Sequence, residues 1–278
     1  MPAGGEFAGA ASVSFERAVA AGRRNRSLRV SGTDIQAVVD AFSYLQTRAE
    51  RPVHGGRGIA AFSYAVGPAV LAALDPAIKQ QVDFVLGVGG YYDLRQVLVY
   101  FTTGYFRAEQ EWEYLAPNPY GKWVFLRGNV DRLKGPNDRR VLTQIARKKL
   151  TDPSAPVPDL VGRLGPEGKS VYRFVSNNDR AVAPVLAASL PAAIQDELEA
   201  LTLSNKDLSG LAARLMLVHG LDDTIIPYSQ SVALAAAAGG RSELFLIDGL
   251  AHVDLQPGRL DRQAAWHAVR ALLALRER

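Results

Sequence analysis

Apolar positions along this chain fall into three blocks with different rhythms. From residue 31, Ile35, Val38, Val39, Phe42 and Leu45 recur at helical spacing behind Thr33 or Asp34, either of which can cap a helix with one buried face. A Gly-rich loop, Arg51 to Arg57, follows. The short apolar run Ile59 to Phe62 has the length and character of a buried strand, and an Ala/Leu/Val stretch with Pro68 in its first turn reads as a helix stopped by Asp75-Pro76. Val82 to Val88 predicts a second buried strand, closed by Gly89-Gly90, and Leu94 to Phe101 a helix. The second block, about Thr102 to Gly210, is rich in proline and carries amphipathic helices such as Asp138 to Leu150 and Ala192 to Leu203. No strand is expected there. In the third block, strand-like Leu215 to Val218 and Leu244 to Ile247 flank a helix from Ser229 to Ala238. A closing helix, Gln263 to Leu275, sets Trp266, Val269 and Leu273 on one side.

Strand and helix alternate at both ends of the chain, which predicts an α/β architecture with a mostly parallel sheet covered on both faces by helices. The expected division is a core from 31–103 and 210–278, a helical cap inserted at 104–209, and a weakly ordered arm at 1–30 in which only Phe15 to Ala21 has a helical pattern. At 278 residues and 48% hydrophobic content the chain suffices for one large α/β domain or a core plus an insertion.

Charge and cysteine content narrow the chemistry. The net charge is +4, but its 32 basic and 28 acidic residues are interspersed, and no aromatic residues interleave with the densest basic clusters, Arg23-Arg24-Asn25-Arg26 and Arg147-Lys148-Lys149. Such runs read as solvated helix faces, so nucleic acid is not an expected partner. With no cysteine, disulfides and thiolate metal sites are excluded. The N-terminus lacks the pattern of a secretory leader and no stretch has the length of a membrane span, so a cytoplasmic location is expected.

Ser63 is the candidate nucleophile. It stands where a strand turns into a helix, with small residues, Ala61 and Ala65, two positions to either side. A serine hydroxyl needs a base to take its proton and an acid to orient that base. His219-Gly220-Leu221-Asp222-Asp223-Thr224-Ile225-Ile226-Pro227 offers an acid just after a strand, and His252 lies in the loop after the next strand. Asp223 and Asp222 beside it are both candidates for the acid, and Asp223 is the first choice because its spacing to Pro227 resembles the acid turn of the α/β-hydrolase superfamily. Asp93 is a further candidate, although capping of the helix at Leu94 accounts for it. His219 is read as packing or hydrogen-bonding behind the acid turn, and His267 as a residue of the closing helix.

Ala-Phe-Ser-Tyr-Ala resembles the nucleophile elbow of the α/β-hydrolase superfamily, with alanine for glycine on both sides, and the order Ser, Asp, His is that of the same superfamily. The resemblance covers about residues 31 to 278. It implies a serine hydrolase cleaving a carboxylic ester or related acyl bond of a small-molecule substrate. Ser63 would be nucleophile, His252 base, Asp223 orienting acid and the Tyr64 backbone N–H one oxyanion donor, with no metal or organic cofactor. The cap aromatics Tyr105, Trp112 and Trp123 are candidates for an acyl pocket or for core packing. His54-Gly55-Gly56 resembles a lipase oxyanion motif but lies too close to Ser63, and reads as a turn.

The superfamily usually places several strands before the elbow, including the one whose loop carries a second oxyanion donor, and residues 1 to 57 show no clear buried strand. An N-terminally shortened hydrolase is therefore the expectation, with the strand before Ser63 as an exposed sheet edge through which the chain could self-associate. The alternative function is a catalytically impaired hydrolase fold acting as a binding module.

Overall fold

The computed structural model describes residues 31–47, 56–252 and 260–274. The arm at 1–30 and the His54-Gly55 turn lie outside them. In chain order the main elements begin with α1 (Thr33–Thr47), β1 (Gly58–Phe62), α2 (Val66–Ala73), β2 (Phe84–Val88) and α3 (Leu94–Thr103). A hairpin of β3 (Tyr105–Ala108) and β4 (Glu111–Tyr114) follows. Six helices come next: α4 (Tyr120–Asn129), α5 (Pro136–Thr151), α6 (Pro158–Gly162), α7 (Pro166–Ser176), α8 (Ala183–Ala188) and α9 (Ala192–Leu201). The chain returns through β5 (Arg214–Gly220), α10 (Ser229–Ala238), β6 (Ser242–Ile247) and α11 (Arg262–Ala274).

β1, β2, β5 and β6 form one sheet in that spatial order, parallel throughout. Helices flank it, so the architecture is α/β with a parallel sheet. The register matters more than the order. Phe62 pairs with Val88 and Val88 with Val218, so the residues that follow, Ser63, Gly89 and His219, emerge at one end of three adjacent strands. Gly220 pairs with Ile247, which brings the loop after β6 to that same end. Among the described residues β1 is an edge strand.

α2 lies unusually close to the sheet because its packing face is small. Val66, Ala69, Val70, Ala72 and Ala73 are all buried. Val66 rests on Gly87 and Gly90, where any Cβ would meet its methyl groups at 2.9 and 2.6 Å. Gly67 leaves room for Tyr91, a fully buried ring whose hydroxyl donates to the Leu201 carbonyl at 3.0 Å. That bond ties the sheet's core to the end of α9.

Prolines in the helical region start helices rather than break them. Pro136, Pro158 and Pro166 occupy first positions, where the absent N–H has no intrahelical acceptor to lose. The buried Asp138 carboxylate on α5 accepts from Gly165 N at 2.7 Å and Gly168 N at 2.8 Å, capping α7 from a neighbouring helix. Arg132 and Glu197 pair at 3.1 Å, and Glu197 also receives Gly32 N, fastening the entry to α1 onto α9.

Two features depart from the sequence expectation. The β3–β4 hairpin lies where no strand was expected. Its turn is made by Glu109 at φ 53° rather than by glycine or asparagine, so the usual turn signal is missing. β4 is exposed along its whole length, so it lacks the alternation that marks a half-buried strand. Secondly, Trp266, Val269 and Leu273 share one side of α11, but that side faces outward: they are 61%, 46% and 45% exposed, and Ala268 carries the contact with the sheet.

Gly67→Ala is expected to destabilise the protein by about 1–3 kcal/mol, since its methyl would overlap the bonded Tyr91 hydroxyl and neither backbone nor ring has space to yield. Thermal melting of that variant against Gly162→Ala, where a methyl meets nothing within 4 Å, checks this.

Candidate active site

Ser63 leaves β1 and enters a single 3-10 turn, Ser63–Ala65, which runs directly into α2. Its φ is 56°, a left-handed conformation that a side-chain-bearing residue adopts at a cost of about 1–3 kcal/mol. Preceding Phe62 is still extended, at φ −125° and ψ 143°. The abrupt change between the two residues lifts the Ser63 hydroxyl clear of the strand end. Ala61 is buried beneath it.

Facing Ser63 is His252, whose Nε2 lies 2.8 Å from Ser63 Oγ and whose Nδ1 lies 2.7 Å from Asp223 Oδ2. Asp223 is fully buried at the end of β5. Its other oxygen, Oδ1, accepts from Ile225 N at 2.8 Å and Ile226 N at 2.9 Å, a turn that the local sequence closes on its own carboxylate. Parallel sheet, strained serine turn, acid after one strand and histidine after the next are now all in place. The fold is α/β-hydrolase-like.

Within that fold each runner-up acid has other work. Asp222 Oδ1 accepts from Ala251 N at 2.8 Å, which pins the loop just before His252. Asp93 caps α3, accepting from Arg95 N at 2.8 Å and Gln96 N at 3.3 Å. His267 is exposed on α11. Tyr64 follows Ser63 in the turn, and its ring packs on Tyr91 with centroids 5.9 Å apart. Burial first and the Asp223 charge second push its hydroxyl far above the usual phenol range, so it stays protonated.

Glycine admits the close approaches around the relay. Gly89 has φ 61°, and a Cβ there would stand 3.0 Å from the His252 carbonyl oxygen and 3.4 Å from Asp223 Oδ2. At Gly220 a Cβ would collide with the Ala251 carbonyl. The sequence marks Gly89-Gly90 and His219-Gly220 only as turn dipeptides. Their function as clearance for the histidine loop becomes visible once β2, β5 and the β6 loop meet.

The three aromatics of residues 104–209 named above separate. Trp123 is buried in the main core, with the Lys122 and Lys149 ammonium groups 5.6 and 5.4 Å from its ring centroid, a packing role. Tyr105 and Trp112 lie on the outward face of the hairpin, where the Arg180 guanidinium stacks 5.1 and 4.5 Å from their centroids. Among the described residues no group of three or more His, Cys, Asp or Glu is placed to hold a metal ion, and no helix is long and apolar enough to cross a membrane.

No protein-family model and no curated protein matches the sequence. Solved structures similar to the chain include a meta-cleavage product hydrolase from Pseudomonas fluorescens, at 15% identity over 86% of this chain and 72% of that one, with a TM-score of 0.41. A thermophilic esterase from Thermogutta terrifontis is 14% identical over 90% and 74% of the two chains, with a TM-score of 0.41. A 2-hydroxy-6-oxo-6-phenylhexa-2,4-dienoate hydrolase from Rhodococcus is 12% identical over 87% and 71%, with a TM-score of 0.36. Chemistry is read from the site itself.

Burial alone would raise the Asp223 carboxyl, but hydrogen bonds and positive potential from His219 and His252 outweigh it and hold the group below 3.8. A depressed folded value stabilises the native state fully above the unfolded value, and that contribution is lost as pH falls through the folded one. Denaturant midpoints measured on acidification below 3.8 are therefore expected to fall more steeply for the wild type than for Asp223→Asn.

Proposed function

We propose that this protein is a serine hydrolase acting on a carboxylic ester, or a related acyl bond, of a small molecule. The observation that carries the reading is the continuous relay from Ser63 Oγ through His252 Nε2 and Nδ1 to Asp223 Oδ2, with bonds of 2.8 and 2.7 Å. Ser63 Oγ attacks the acyl carbon while His252 Nε2 takes its proton, and Asp223 steadies the imidazolium that forms. His252 then protonates the departing alkoxide, leaving the acyl group on Ser63. Water, deprotonated by the same nitrogen, attacks the acyl-enzyme; collapse of that second adduct frees the acid and returns the proton to Ser63.

The Tyr64 backbone N–H, immediately after the nucleophile, is the first oxyanion donor in this reading. Residues 104–209 serve as a cap over the substrate, built on the chain between β2 and β5. Neither role needs a metal or organic cofactor.

A second reading, a hydrolase fold kept as a binding module, is favoured by one observation. Among the described residues no strand precedes β1, where the resemblance puts the loop with the second oxyanion donor. Loss of one such donor typically costs about 10²–10³ in rate.

Labelling with a fluorophosphonate probe distinguishes the two readings. The wild type is expected to become covalently labelled, Ser63→Ala and His252→Ala to remain unlabelled, and Asp223→Asn to label slower by up to about 10⁴-fold. A folded wild type that takes up no probe overturns the hydrolase reading in favour of the module.

A further inference from the structure

His219 belongs to the acid's surroundings more closely than its place in the sequence suggests. It is the penultimate residue of β5 and is wholly buried. Its Nδ1 lies 2.7 Å from Ser231 Oγ on α10, and its Nε2 lies 2.9 Å from the Ile226 carbonyl and 3.2 Å from Asp223 Oδ2. A carbonyl and a carboxylate can only accept, so Nε2 carries the proton. In the neutral ring Nδ1 is then bare, and the Ser231 hydroxyl donates to it. The Ile226 carbonyl and the Asp223 carboxylate thereby set the tautomer, and the fully buried Ser231 hydroxyl turns to suit it.

Asp223 is thus served by four N–H groups. Ile225 N and Ile226 N occupy Oδ1, while the two imidazoles of His252 and His219 converge on Oδ2. The share His219 gives the carboxylate is the longer arm of a bifurcated contact; the shorter arm holds the Ile226 carbonyl, in the same turn. Both arms restrain the acid turn and fix the direction in which Oδ2 meets His252.

We infer that His219, with its Nε2–H fixed by the two acceptors it faces and its Nδ1 satisfied by Ser231, is a positioning residue for the relay: it holds Asp223 and its turn in the geometry that orients His252. This rests on the serine hydrolase reading for its effect on rate, but not for the hydrogen-bond arrangement itself. His219 touches no reacting atom. Its action is entirely through Asp223.

Three variants of the full chain test the assignment. His219→Phe keeps a flat ring and removes the donor; His219→Gln keeps an N–H donor at the same reach and removes the ring; Ser231→Ala deletes only the hydroxyl. Supporting groups of this kind are worth about 10- to 100-fold in activity, so His219→Phe is expected to slow fluorophosphonate labelling by that factor and His219→Gln to restore most of it. Packing alone predicts the reverse order, with Phe near wild type and Gln slow. That reversal, or wild-type rates in all three with native melting curves, overturns the proposal.

Imidazole ¹⁵N spectra supply a readout that needs no activity. The wild type and Ser231→Ala are both expected to show His219 as the Nε2–H tautomer, since the acceptors on Nε2 remain in each; an Nδ1–H ring in the wild type overturns the assignment. If the wild type does not label at all, the hydrolase reading fails while the spectra still decide the arrangement. If His219→Phe does not fold, His219→Gln decides it: labelling slowed about 10- to 100-fold in that variant, with a native melting curve, overturns the proposal.

Discussion

A carboxylate with no exposed surface is the constraint around which this molecule is arranged. An unpaired ion in such a place would be prohibitively costly, and the remedy is complete satisfaction of both oxygens. The required donors come from three places: two backbone amides of the acid's own turn, a histidine inside β5, and a histidine in the loop after β6. Each is useful only if β5 and β6 pair in the observed register. The sheet, the α10 hydroxyl on His219 and the glycines that admit the β6 loop therefore all support one charge. The imidazole beside Ser63 is held by that same charge, which couples folding to the chemistry proposed for the site.

The helical region shares the main hydrophobic core with the sheet and is also fastened to it by specific hydrogen bonds. Tyr91 reaches Leu201, Asn118 N donates to the Thr224 carbonyl within the acid turn at 2.8 Å, and Tyr228 meets Glu113 of the hairpin. Two of these three contacts touch the segment 224–228.

Legibility from sequence followed the strength of the local signal. The strands around Val85 and Leu217 are short apolar runs bounded by glycine or charge, and the helices have prolines or caps at their starts, so type and approximate extent could be read directly. Val82 and Asp83 proved to lie ahead of β2, although the Asp83 backbone still bonds Arg57 on one side and Arg214 on the other while its carboxylate receives Arg57 N. The hairpin was hidden by an αL glutamate in its turn. Ser63, Asp223 and His252 could be picked out because each sits at a strand end, which a one-dimensional pattern reveals. His219 was legible as a group behind the acid turn, four residues from Asp223, but its Ser231 partner and the work done by Asp222 and Gly89 could not be seen, since those contacts join residues distant in sequence: Asp222 and Ala251, Gly89 and His252, His219 and Ser231. Burial direction was also beyond reach for α11, whose apolar stripe and small-residue side look equally suited to packing until the sheet decides between them.

The left-handed backbone at Ser63 has a consequence for how this chain responds to selection. Alanine at that position would keep the Cβ and hence the strain, whereas glycine would relax it, since glycine visits positive φ without penalty. The chain therefore carries, at its proposed nucleophile, a standing opportunity to become sturdier by becoming inert. A library sorted for thermal resistance alone would be drawn toward that exchange.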